Sequence, residues 1–296
     1  MAAPKSLFAF VLLVCSTLSA AAQDRARVVA VNYPLQYFAE RLLGDTADVL
    51  FPVPADVDPS FWRPGIADIS LIQEADLILL NGAGFATWID RVSLPRSRVV
   101  QTSAAIEDQF IVTESITHSH GDGGEHSHEG LAAYTWLDPV LAIAQAEAVA
   151  AAINARGIAP QAEVNDRLDA LRADLEMLDE TATVALEGAN TVPMIATHPR
   201  YQYFAHRYDL SISALEWEAG AAPSDTELAD LETLVAKTGA KIILWEAEPP
   251  AAAIDAATAL GLQSVIFPPM AQSDGNGTYL EALTTSIEAL SAAVTP

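Results

Sequence analysis

The chain contains a single cysteine in 296 residues, Cys15, and it lies within the first apolar segment. Once that segment is removed on export, no thiol remains, which excludes disulfides, thiolate metal sites and cysteine nucleophiles together. Basic residues are also scarce: 15 Lys and Arg stand against 39 Asp and Glu, a formal charge of −24. A chain this acidic repels phosphate backbones and has no basic stripe from which counterions would be released, so nucleic acid is excluded as a partner. The carboxylate surplus would instead concentrate cations near the surface. Catalytic frames are missing too. There is no HExxH helix and no GxSxG elbow, and Gly82 and Gly84 run on as Phe85-Ala86-Thr87-Trp88 without the third glycine of a dinucleotide fingerprint. His198 and Glu246 are the pair to cast in a metal hydrolase. Without those frames, the chain is expected not to be an enzyme.

At the N-terminus, Lys5 is the only charge in the first 22 residues, Leu7 to Leu18 is apolar, and Ala20-Ala21-Ala22 precedes Gln23. This pattern predicts a cleaved secretory signal over residues 1–22. The apolar run is shorter than the roughly 20 residues a membrane-spanning helix needs. Cys15 follows Val14 and not a small residue, which leaves a lipid-anchored cysteine as the minor alternative. Loss of Lys5 with the signal leaves 14 basic residues and a formal charge of −25.

Histidine is rare but concentrated. Four of the six histidines, His118, His120, His126 and His128, fall within eleven residues, interleaved with Asp122 and Glu125 and followed by Glu129. Imidazoles and carboxylates are the ligands that borderline divalent ions such as zinc prefer, and the glycines among them disfavour packing into a core. Residues 118–130 therefore read as a metal-collecting loop.

Short β-branched runs alternate with amphipathic segments along the rest of the chain, which predicts α/β layers with largely parallel sheets. Strands are expected near 27–31, 49–53, 75–80 and 99–102, then again near 192–197, 212–215, 241–245 and 264–267. Helices are expected over 35–43, 201–208, 225–237 and 279–293. Between the halves, Pro139 suits the first turn of a helix to about Asn154, Gly157 and Pro160 interrupt it, and a second helix can run from Ala162 to about Leu186. In the second helix Val164, Leu168, Leu171, Leu175, Leu178 and Val184 share helical spacing. The expected organisation is an N-terminal α/β lobe over 23–158, a linking helix over 159–188 and a C-terminal α/β lobe over 189–296. A rigid helix bridging two Rossmann-like lobes leaves a ligand cleft between their strand ends.

Several runs carry a resemblance. They are Asp58-Pro59 with Pro64, Gln73 to Gly82, Trp136-Leu137-Asp138-Pro139 after the His-rich loop, Thr197-His198-Pro199-Arg200-Tyr201 on to Tyr208, and Ala222-Pro223-Ser224. In this order they resemble the zinc/manganese ABC-transporter solute-binding proteins of bacteria, over nearly all of the chain after the signal. The resemblance implies a monomeric periplasmic receptor that captures a divalent metal between two lobes and delivers it to an ABC permease in the inner membrane. It also implies ligand positions, and this chain departs at most of them. The histidine usual two residues after the Asp of the Asp-Pro pair is Ser60. The histidine usual two residues before the Trp of Trp-Leu-Asp-Pro is Tyr134. The aspartate usual near the last strand falls about at Phe267-Pro268-Pro269, and only His198 keeps its imidazole.

Replacement donors are present. Tetrahedral zinc wants about four donors. Glu218 and Glu246 follow strands of the second half, so they are expected to converge on His198 at one sheet edge, with His126 or His128 supplied by the loop and Asp274 nearby. Such a site suits zinc first, with manganese or iron open. Asp138 is expected to cap the helix at Pro139, and Asp58 to shape a turn or touch metal. A second reading comes from aromatics: Trp62, Tyr134, Trp217 and Trp245 map near the cleft and would box an organic cation or a metal chelate by cation–π attraction.

Overall fold

Each sheet begins with a short strand that leads into a helix, capped by Asn32 in the first half. In chain order the elements are β1 (Ala26–Ala30), α1 (Tyr33–Leu43), β2 (Ala47–Leu50), α2 (Ile66–Glu74), β3 (Leu77–Leu80), β4 (Val99–Gln101), β5 (Val112–Thr113), β6 (Gly130–Leu131), α3 (Pro139–Arg156) and α4 (Gln161–Ala185). They continue as β7 (Met194–Ala196), α5 (Gln202–Arg207), β8 (Ile212–Ala214), α6 (Asp225–Thr238), β9 (Ile242–Trp245), α7 (Ala251–Ala259), β10 (Gln263–Ile266) and α8 (Tyr279–Val294), with 3-10 turns between several of them. The computed structural model describes residues 25–113, 130–217, 220–273, 275 and 277–295. Positions 66–74 and 251–259, which periodicity left unassigned, are helical. Among the described residues no helix is long and apolar enough to cross a membrane.

The two halves share one topology. The first sheet has the order β2-β1-β3-β4 and the second β10-β9-β7-β8, all paired in parallel. Read from the second strand of each half, both orders are 2-1-3-4. In an open sheet of this kind the connections leave in opposite directions from the first and third strands, and the crevice at their carboxyl ends is the natural ligand position.

Side-chain alternation assigns the faces of the second sheet. Met194, Ala196, Ile242 and Leu244 join the main core, whereas Ile195, Ile243 and Trp245 point the other way into a smaller cluster under α6 and α7. This is the period of two expected of a pleated strand buried on both faces. The main core runs from Val28 and Leu79 of the first lobe through Leu171 and Leu175 of α4 to Phe267 and Ile287 of the second lobe.

Helix α4 is the expected bridge. Arg167 donates from Nη1 to the carbonyls of Leu42 and Leu43 at the end of α1, and Arg172 pairs with Glu147 of α3. On the other lobe Asp179 accepts from Arg207 of α5, and the Ala185 carbonyl accepts from Ser291 of α8. Val164, Leu171, Leu175 and Leu178 form the buried stripe, but Val184 is 70% exposed. It lies in the last turn on the side away from the core, which Leu178, Ala182 and Leu186 continue to face.

Candidate functional site

The two switch points are closed in different ways. In the first lobe, Asn32 follows β1 and Asn81 follows β3. Their amides meet at 3.2 Å, while Gln145 donates to Asn81 Oδ1 and to Thr102 Oγ1, both at 3.0 Å. Asn32 also accepts from Leu35 N and so caps α1. This buried network satisfies its own donors and acceptors without an ion, as low-dielectric burial requires.

The second switch point carries charge instead. The chain leaving β7 reads Thr197-His198-Pro199-Arg200, and Glu246 directly follows β9. Arg200 Nε lies 2.9 Å from Glu246 Oε1, and Arg200 Nη2 donates to Asp58 Oδ2 at 2.6 Å. Asp58 belongs to the segment after β2 in the first lobe, so the guanidinium joins the two lobes. Ser60 donates to Asp58 Oδ1 from its backbone N at 2.8 Å and its hydroxyl at 2.7 Å, so both oxygens of Asp58 are engaged. The Arg200 plane sits over the Tyr134 ring, 5.0 Å from its centroid. Arg200 and Glu246 are each 7% exposed.

These neighbours shift the acidities. Burial raises the Glu246 carboxyl to about 7, against the opposing pull of Arg200 and with a further push from Asp58. Burial also acts to raise Asp58, but the Arg200 charge and the Ser60 hydrogen bonds outweigh it and hold that carboxyl below its ordinary value. For Arg200, burial works against the charged form, while Tyr134, Glu246 and Asp58 overcome it and push the guanidinium higher still. Desolvation keeps the Tyr134 phenol protonated.

Arg200 separates two recesses. One, about 540 Å³, is lined by Asp56, Asp58, Glu246 and Glu248 together with Val57, Ile266 and Met270. The other, about 210 Å³, is lined by Ser60, Tyr134, His198 and Gln202. Thus His198 and the two positions where the resemblance implied further histidines do meet, on the opposite side of Arg200 from the acidic recess. Among the described residues no group of three or more His, Cys, Asp or Glu side chains is placed to hold a metal ion. Glu246 lies at the strand end expected for it, with its carboxylate on Arg200. His126, His128, Glu218 and Asp274 lie outside the described residues.

The expected aromatic box is not formed. Trp62 packs edge-on against Trp88, Tyr134 against Phe85 and Trp136, and Trp217 against Trp245. The four rings are buried, Trp62 and Tyr134 in the main core and Trp217 and Trp245 in the smaller cluster under α6 and α7. Asp138 caps α3, accepting from Val140 N at 2.8 Å and Leu141 N at 3.4 Å. The residue that sequence reasoning passed over is Arg200, noticed only as part of a longer run. Its neighbours Ser60 and Tyr134 are distant in sequence and meet it only in the fold.

A family model described as ZnuA, zinc-uptake complex component A periplasmic, matches residues 28–293. The zinc-binding lipoprotein AdcA of Streptococcus pneumoniae serotype 4 is 27% identical over 248 residues, covering 81% of this chain and 49% of that protein. The high-affinity zinc uptake system protein ZnuA of Bacillus subtilis is 25% identical over 237 residues, covering 75% of this chain and 71% of that protein. The chain thus spans about half the length of the AdcA relatives it matches. Among solved structures, Zn(II)-bound AdcA from Streptococcus pneumoniae superposes with a TM-score of 0.75 at 21% identity, over 92% of this chain and 58% of that one. The solute-binding protein FpvC from Pseudomonas aeruginosa in complex with Mn2+ gives 0.75 at 20% identity, over 91% and 98%. These likenesses establish the two-lobed fold.

Proposed function

Since the chain belongs to the periplasmic zinc-uptake complex component A family, we propose that it is the solute-binding receptor of a metal ABC importer. It captures a divalent ion in the inter-lobe cleft, zinc before manganese or iron, and hands it to a permease in the inner membrane. In this reading it is a periplasmic monomer released by cleavage of residues 1–22. His198, Glu246 and Glu218 supply donors from the second lobe, and His126 and His128 supply imidazoles from the loop.

The observation that carries the proposal is the family match over residues 28–293, combined with carboxylates from both lobes at one cleft. Carboxylate and imidazole together suit zinc. A chelated ion is the second reading. It is favoured by the acidic recess of about 540 Å³, which has room for far more than a bare ion.

Metal content of protein purified from the periplasm, followed by equilibrium dialysis against zinc and a competing chelator, tests the proposal. About one zinc per chain is expected for the wild type, with weaker retention in His198→Ala and in a deletion of residues 118–130. Unchanged retention in His198→Ala removes that imidazole from the site. Absence of any divalent metal from the wild type removes the bare-ion receptor.

A further inference from the structure

We infer that Arg200 is the cleft's own cation, a tethered guanidinium that an incoming divalent ion must displace, so that ligand capture is a cation exchange. The inference rests on the metal-receptor reading and names the residue that sets its affinity threshold.

Two carboxylates facing each other from opposite lobes are the donors a divalent ion would bridge. Asp58 Oδ2 and Glu246 Oε1 occupy that relation, yet both lie on Arg200, at 2.6 and 2.9 Å. A guanidinium has donors only, never coordinates a metal, and does not lose its proton in a protein. It therefore holds Asp58 as a hydrogen-bond acceptor and Glu246 as an ion-pair partner, and repels a second cation at short range. The Ser60 N–H and hydroxyl occupy the other Asp58 oxygen, so Asp58 has no disengaged oxygen to offer while the guanidinium stays.

Charge matching favours the exchange. With Arg200 withdrawn and the Glu246 proton released to solvent on ion binding, Asp58 and Glu246 carry two negative charges, which a divalent ion neutralises where the guanidinium neutralises one. The move is coupled to the only family imidazole this chain retains. Arg200 N donates to the His198 carbonyl at 2.9 Å in the turn between β7 and α5, so displacing Arg200 re-poses the loop that carries His198. Every ion must offset the same displacement cost. Ions that bind nitrogen and carboxylate donors tightly therefore pass the threshold, and weakly held magnesium or calcium falls below it.

The test measures zinc affinity by chelator competition in the full chain, in a background where His118, His120, His126 and His128 are alanine and the loop imidazoles cannot contribute. Arg200→Met is expected to bind zinc at least about tenfold more tightly than its parent, because a competing buried charge is gone. Arg200→Lys, which retains the charge, is expected to stay within about threefold. A residue with a merely structural role would give a loss, not a gain. A folded Arg200→Met with equal or weaker affinity overturns the inference. If Arg200→Met does not fold, the comparison moves to Glu246→Gln against Glu246→Gln/Arg200→Met, which removes one charge of each sign; the double variant must again bind more tightly. Zinc retained by the wild type but no gain in either comparison overturns the exchange alone. No zinc on any form, with or without loop histidines, overturns the receptor reading and the exchange with it.

Discussion

Arg200 at the carboxyl end of β7 donates to Asp58 in the segment after β2, at 2.6 Å and across 142 residues of sequence. This contact turns two similar lobes into one cleft with a positive charge at its floor and carboxylates around it.

Breaking that contact should be costly in the metal-free protein. Arg200→Ala leaves Glu246 buried without its partner, and removal of one member of a buried pair costs about 3–5 kcal/mol. Urea denaturation in the presence of a chelator measures it. A loss below about 1 kcal/mol would show that the pair behaves like an exposed one.

Glu246 gives a pH signature. Its folded-state value is raised to about 7 from 4.5, so between those pH values the folded protein holds a proton that the unfolded chain has released. The stabilisation from this group is complete below pH 4.5 and is lost as pH rises through about 7. Asp58 has the opposite sign: held below 3.8, it contributes above that pH and loses its contribution as pH falls through its lowered value. The stability of the wild type relative to Glu246→Gln should therefore fall between pH 4.5 and 7 in metal-free denaturation curves. A difference that stays level across this window would contradict the assignment.

A second interlobe tie is neutral. The Tyr279 hydroxyl of α8 donates to the Trp136 carbonyl at 2.6 Å, and Trp136 Nε1 donates to the Pro269 carbonyl at 2.8 Å. Tyr279→Phe leaves a buried carbonyl unpaired and is expected to cost about 1–3 kcal/mol. Calorimetry would show it as a lowered Tm, and an unchanged Tm would mean that water or a neighbour replaces the hydroxyl.

Asp138→Ala removes the cap of α3. Its carboxylate accepts from Val140 N at 2.8 Å, so a loss of about 1 kcal/mol is expected, recovered in large part by Asp138→Asn. If alanine and asparagine cost the same, the carboxylate's charge rather than its cap geometry sets the energy.

Much of the fold was legible from local chemistry. Asn32 before Tyr33-Pro34 and Asp138 before Pro139 cap helices in the manner their residue types favour. Ser224 with Glu227 and Thr278 with Glu281 form reciprocal capping boxes. The helix at 251–259 was harder to read because its Ala-rich run has no polar face to give a period. Of the candidate site, Glu246 follows its strand as expected, but its carboxylate lies on Arg200, and His198 lines the recess on the other side of that guanidinium. Arg200 was missed because nothing local distinguishes a buried cationic bridge from an ordinary surface arginine.

The order of residues alone determined the alternation of strands and helices, the bridging helix and the helix caps, since these depend on hydrophobic period and on backbone contacts within about four residues. Tertiary structure alone decided which charge meets which. Whether Asp58 and Glu246 face solvent, a metal ion or a guanidinium depends on how two sheets bring distant strand ends within hydrogen-bond reach, and ion-pair energy changes steeply with distance and burial at that range.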